Sequence, residues 1–165
     1  MSKKAVHLPA LVADPSSNMA ALAAVMLRSL GIRAVEATVD LPHTAAELAR
    51  QRFCLVLIDD QLGGSDGFET IRALRQLGTH PNRETPIFMM AAAPDAKMIA
   101  AARDAGVTEF LRKPFSAEHI KLRLDGLKKA PRSFVEAQSY AGPDRRRRAI
   151  SGAAARRAAD KASAS

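Results

Sequence analysis

Hydrophobic and polar positions fall in blocks along this chain, and the blocks are of two kinds. Short unbroken apolar runs occupy residues 10–13, 55–58 and 87–90, with weaker, mixed strands at 34–39 and 107–111. Runs without polar alternation suit strands buried on both faces. Between them, apolar residues recur at helical spacing: Met19, Leu22, Val25 and Met26; Phe68, Ile71, Leu74 and Leu77; Met98, Ile99 and Ala102. Thr44 with Glu47 reads as a capping box that opens another helix, and Ser116 starts a last one running through His119 to 127. Asp95 stands at a helix start, while Gly31 and Gly106 stand where helices end. Residues 78–85 read as a loop.

Five strands alternating with five helices, each unit long enough for a right-handed crossover, predict a parallel sheet covered on both faces. The expected fold is α/β: a flavodoxin-like, doubly wound five-stranded parallel sheet in the order 2-1-3-4-5 with five helices. It fills residues 1–130. Beyond it the periodicity stops. Residues 131–144 read as a mixed linker, 145–148 as four arginines, and 149–165 as an Ala/Arg/Ser stretch. The whole of 131–165 is expected to be a basic tail, disordered when unbound.

Composition narrows the setting. Of 165 residues 47% are hydrophobic but only 4% aromatic, with no Trp, so the core must be aliphatic. No apolar run approaches the roughly 20 residues a membrane span needs. The N-terminal stretch turns polar too soon for a signal peptide. The single cysteine, Cys54, excludes an internal disulfide and reads as a small buried residue. The four histidines lack metal-ligand spacing. A cytoplasmic protein without membrane insertion is expected. Residues 131–165 hold eight basic residues against three acidic, so +5 of the net charge of +8 belongs to the tail.

The candidate chemistry centres on residues 55–67, LVLIDDQLGGSDG. Asp59 ends the apolar run at the carboxyl edge of the sheet, where open α/β folds place their sites. Asp14 ends the first strand, and Lys113-Pro114-Phe115 ends the fifth. Together with the Asp66-Gly67 pair, these features resemble a response-regulator receiver domain of the CheY type, over residues 5–129. The resemblance implies that Asp59 accepts a phosphoryl group from a histidine kinase and that Lys113 holds the transferred oxygens. It also implies a Mg²⁺ ion held by Asp14, Asp59 and the backbone carbonyl of Gln61. It implies a signalling adaptor rather than an enzyme, and an α4–β5–α5 partner surface carrying Lys97, Arg103, Phe110, Arg112, Lys121 and Arg123. CheY-like proteins touch the flagellar switch protein through that surface; an ordinary solvated face is the plainer reading.

Three positions depart from the family pattern. Pro15 replaces a second acid, which weakens Mg²⁺ binding because hard cations bind by summed oxygen charge. Ala91 replaces a Ser or Thr whose hydroxyl bonds the phosphoryl group. Gly63 replaces a Pro after the turn.

The tail reads YAGPDRRRR over residues 140–148. Guanidinium groups grip phosphates in bidentate fashion, stack on aromatic planes and pair with the O6/N7 edge of guanine. An acid such as Asp144 accepts from guanine N1–H and N2–H. A receiver joined to such a tail resembles the CheY-like cyclic di-GMP effectors of flagellar motors. That implies capture of cyclic di-GMP by Asp144, Arg145, Arg146, Arg147 and Arg148, altering partner binding. Two alternatives stay open besides a solvated charge block: a conventional regulator phosphorylated on Asp59, and a nucleic-acid-binding accessory protein. Nucleic acid is the least favoured partner, because only Phe134 and Tyr140 are available to stack on bases.

Overall fold

The computed structural model describes residues 7–146. In chain order the elements are β1 (Ala10–Ala13), α1 (Ser17–Ser29), β2 (Val35–Thr38), α2 (Leu41–Arg50), β3 (Leu55–Asp59) and α3 (Ser65–Gln76). They continue as β4 (Ile87–Ala91), α4 (Ala96–Ala105), β5 (Glu109–Arg112) and α5 (Ala117–Lys129), then β6 (Phe134–Ala137) and β7 (Tyr140–Pro143). Five strands form one parallel sheet in the order β2-β1-β3-β4-β5, as the periodicity predicts. Successive residues of a strand point to opposite faces, so each strand feeds two cores. Leu11, Val56, Ile58 and Met89 meet Leu48, Ile71, Leu74 and Ala102 from α2, α3 and α4. Val12, Leu57, Phe88 and Met90 meet Ala20, Leu27 and Ile120 from α1 and α5.

Several local expectations are corrected. Helix α1 buries Ala20, Ala23, Ala24 and Leu27, leaving Leu22 and Val25 exposed. Small alanines let that helix lie close to the sheet, so the larger side chains turn outward. Helix α2 is capped by Asp40, which accepts from the His43 N–H, not by Thr44. Thr44 is buried one turn in, its hydroxyl 2.8 Å from that of Thr38, while Glu47 pairs with Arg50. On α3 the buried positions include Arg75, whereas Leu77 is exposed. The loop before β4 holds a buried Asn82, which donates to the carbonyls of Leu48 and Gln51 and accepts from the Phe53 N–H. Cys54 is half-buried.

The largest correction concerns residues 131–146, expected to be disordered. They are ordered, and β6 and β7 form an antiparallel hairpin. Its strand β7 packs against α3 and α4. Tyr140 is only 7% exposed, and its hydroxyl donates to the Pro143 carbonyl at 2.6 Å. A side chain at Gly142 would lie 2.6 Å from that hydroxyl, so the hairpin can close only on glycine here. Beneath it lies Arg75, 1% exposed, donating to the carbonyls of Gly106 and Arg83. Burial lowers its guanidinium pKa to about 10. One aromatic ring and a few backbone bonds thus replace the long apolar run by which ordered segments are usually recognised. Arg147 and Arg148 lie outside the described residues.

Tyr140→Ala is expected to lower the unfolding free energy by about 2–4 kcal/mol, since it empties a buried aromatic site. Arg146→Ala, on an exposed side chain, should change it by less than about 0.5 kcal/mol. Urea denaturation of the two variants checks this; equal stability would mean that the hairpin is not docked.

Candidate functional site

Strand register brings three functional side chains to one edge of the sheet. Ala13 pairs with Ile58, so the next residues, Asp14 and Asp59, emerge side by side. Ala91 pairs with Arg112, and the Lys113 N–H donates to the Ala91 carbonyl at 2.8 Å, which places Lys113 one strand beyond. Asp14 and Asp59 are 3% and 4% exposed, so their charges need partners. Lys113 supplies them. Its Nζ donates to Asp14 Oδ2 at 2.9 Å and also to Asp59 Oδ2. The other oxygens accept backbone N–H groups, Asp14 Oδ1 from Ser16 at 2.8 Å and Asp59 Oδ1 from Gln61 at 2.9 Å. Burial lowers the Lys113 pKa, but its hydrogen bonds to Asp59 and Asp14 outweigh that, and the ammonium is held above its ordinary value.

Asp60 faces outward, accepting from the Gln61 side chain at 2.8 Å. The turn after β3 needs its glycines. Gly63 has φ +75°, and a Cβ there would lie 2.6 Å from Leu41. A Cβ at Gly67 would lie 2.6 Å from the Leu62 carbonyl. Ala91 is fully buried and offers no hydroxyl beside Asp59.

Two carboxylates and the Gln61 carbonyl are hard oxygen donors of the kind Mg²⁺ takes. The residues fit that ion in kind, but among the described residues no three His, Cys, Asp or Glu groups cluster as a metal site. Lys113 also already neutralises one of the two charges.

A second cluster lies on the α4–β5–α5 side. Lys97, Arg103, Arg112 and Lys121 are exposed there and Phe110 is half-buried. Arg103, Phe110 and Arg145 share one cleft of about 440 Å³ with Glu109, Arg123 and Arg132. Arg112 lines a different groove with Phe110, Phe115 and Leu122; Lys97 and Lys121 line neither. Asp144 and Arg146 line a neighbouring cleft of about 600 Å³, which shares Glu109, Arg123 and Arg132 with the first. Arg145 lies over the Tyr140 ring at 4.3 Å and pairs with Asp104. Arg132 pairs with Glu109. Sequence reasoning passed over Glu109 and Arg132, because only the docked hairpin brings residues 109, 123, 132 and 145 together. Both candidate base-stacking rings are occupied within the fold: Phe134 has Arg83 over it at 4.6 Å, and Tyr140 is buried. Among the described residues no helix is long and apolar enough to cross a membrane.

A buried acid pair bridged by a lysine at the carboxyl edge of a 2-1-3-4-5 sheet defines a receiver site. The chain matches the response regulator receiver domain family over residues 10–125 and belongs to it. It is 26% identical to the chemotaxis protein CheY-3 of Vibrio cholerae over 119 residues, covering 72% of this chain and 90% of that protein. To the cyclic di-GMP phosphodiesterase response regulator RpfG of Xanthomonas campestris it is 37% identical over 76 residues, covering 46% of this chain and 20% of that protein. Among solved structures, the receiver domain of the Pseudomonas aeruginosa sensor histidine kinase PA1611 superposes with a TM-score of 0.62 at 26% identity. That likeness covers 72% of this chain and 95% of the other, which holds magnesium in its active-site cleft.

Because the folded Lys113 pKa is raised, its pairing stabilises the protein fully below the unfolded value near 10.5 and is lost as pH rises through the higher folded value. Lys113→Met should therefore flatten the alkaline limb of the stability–pH curve, read by urea unfolding from about pH 9 to 11.5.

Proposed function

We propose that this receiver is a signalling adaptor, not an enzyme, whose arginine cleft binds cyclic di-GMP and thereby controls a protein partner at the α4–β5–α5 surface. A flagellar motor switch protein is a partner of the kind intended. The observation that carries this reading is the convergence of Arg103, Arg123, Arg132 and Arg145 in one cleft on that surface. Guanidinium groups in such number suit a ligand with two phosphates and two guanine edges. Asp144 lines the adjoining cleft and would accept from a guanine. The similarity to RpfG covers a fifth of that protein and carries no weight for the ligand.

Phosphorylation of Asp59 by a histidine kinase is the second reading, favoured by the contact of Lys113 with both acids. Against its dominance stand Pro15, which supplies no carboxylate, and Ala91, which supplies no hydroxyl to a phosphoryl group. Mg²⁺, held by Asp14, Asp59 and Gln61, would shield the charge of an incoming phosphoryl group, and weakly so with one acid fewer.

Isothermal titration of cyclic di-GMP into the full chain should give a dissociation constant of roughly micromolar or tighter. Replacing Arg145, Arg146, Arg147 and Arg148 by Ala should abolish binding, while Asp59→Asn should leave it unchanged. Substitution is the sound comparison here, since cutting at Ala130 would also remove the hairpin that covers Arg75. Absence of binding to the full chain overturns the reading. In that case, Mg²⁺-dependent labelling of Asp59 by acetyl phosphate, lost in Asp59→Asn, would establish phosphorylation as the input.

A further inference from the structure

From the sequence alone, the recognition element is Asp144 with the arginine block at 145–148. In the structure the block begins against the receiver body. Residues Arg145 and Arg146 enter the two adjoining clefts from the hairpin side. The wall common to both clefts is made by the body: Glu109 on β5, Arg123 on α5, and Arg132 just beyond it. Both clefts fall within the roughly 300–1,000 Å³ typical of ligand sites. Around the pair stand six cations, Arg103, Arg123, Lys129, Arg132, Arg145 and Arg146, and two acids, Glu109 and Asp144. With Asp104, which pairs with Arg145, counted as well, a surplus of three positive charges is left for a ligand of high negative charge.

The cations are not equally free. Arg132 is held by Glu109 and Arg145 by Asp104, while the backbone N–H of Arg146 donates to the Asp144 carboxylate at 2.9 Å. Arg103 and Arg123 have no hydrogen-bond or ion-pair partner among the described residues. An unpartnered guanidinium at the junction of two clefts can bond a phosphate without first breaking a protein contact. Arg123 holds that junction.

We infer that the dinucleotide site is composite: the receiver body, through Arg123 with Arg132, grips the phosphates, and Glu109 and Asp144 each face a guanine. This rests on the cyclic di-GMP reading above and names the body half of the same site. A carboxylate accepts from both guanine N1–H and N2–H, whereas adenine presents an acceptor at N1. The acids therefore select guanine. Because Arg103, Phe110 and Arg123 belong to the α4–β5–α5 surface, the bound ligand becomes part of the surface a partner meets.

The test is titration of cyclic di-GMP and cyclic di-AMP into the full chain and into Arg123→Gln and Glu109→Gln. Arg123→Gln should weaken cyclic di-GMP binding about tenfold or more, as expected for loss of a charged hydrogen bond. Since Arg123 is exposed, its thermal midpoint should stay unchanged. Glu109→Gln should narrow the preference for the guanine over the adenine dinucleotide. Arg123→Gln and Glu109→Gln both binding like wild type, while the Arg145–Arg148 alanine variant loses the ligand, would overturn the composite site and leave the tail as the sole receptor. No binding by wild type would overturn both readings together.

Discussion

Lys113 is the side chain on which the edge of this sheet depends. Two carboxylates 3% and 4% exposed cannot stand alone in a protein interior, and backbone N–H groups satisfy only one oxygen of each. The ammonium closes the remaining pair, joining strand ends that lie 99 and 54 residues apart from it in sequence. Removing one partner of such a group leaves buried charge uncompensated, which costs far more than the pairing contributes. The same contact sets the limit on the site's chemistry. With Pro15 in place of a second acid, the cluster of Asp14, Asp59 and Lys113 keeps a single net negative charge, a poor counterweight for a divalent cation.

A second constraint lies on the opposite flank. Arg75 is an ionisable side chain 1% exposed, bonded only to carbonyls, and it tolerates this because the hairpin closes over it. Gly106 is where the two meet. Its φ of +105° ends α4, and a Cβ there would lie 2.8 Å from Arg75 and 3.3 Å from the Ala141 carbonyl. The helix end, the buried guanidinium and strand β7 therefore fit only as a set. The consequence for function is geometric: the chain leaves the hairpin at Asp144 beside α5, not from a free linker at residue 130.

Much of this was legible because it follows from apolar runs and strand ends. The five central strands, the Asp95 cap, the Gly106 stop and the approach of Asp14, Asp59 and Lys113 all express local patterns with few alternatives. What was not legible depended on packing distance or on single contacts. Helix α1 presents both an alanine face and a Leu22–Val25 face, and periodicity prefers the larger side chains although the smaller ones are buried. Thr44 looked like a cap because its partner Thr38 lies on a different element. The hairpin carries one buried aromatic ring, too little to distinguish it from a linker. Gly63 stands where the family pattern has a Pro, and only the structure shows that its positive φ and its approach to Leu41 shape the turn beyond Asp59.

These constraints bear on how an input could reach the α4–β5–α5 surface. A phosphoryl group at Asp59 acts at a distance, and its effect must pass through a group that bonds it in one conformation and not in the other. Ala91, fully buried at the end of β4, cannot form such a bond. A ligand shifts an equilibrium only by the difference in its affinity for the two states, so an input without that contact has little leverage. The cleft needs no relay. Phe110 and Arg123 line it and also line the groove running along β5 and α5 toward Phe115 and Leu122. An anion seated there would change the charge of the partner surface itself, and the coupling would be contact rather than transmission. With no hydroxyl at Ala91 and four arginines around Glu109, an input seated in the cleft would act on the output face by direct contact.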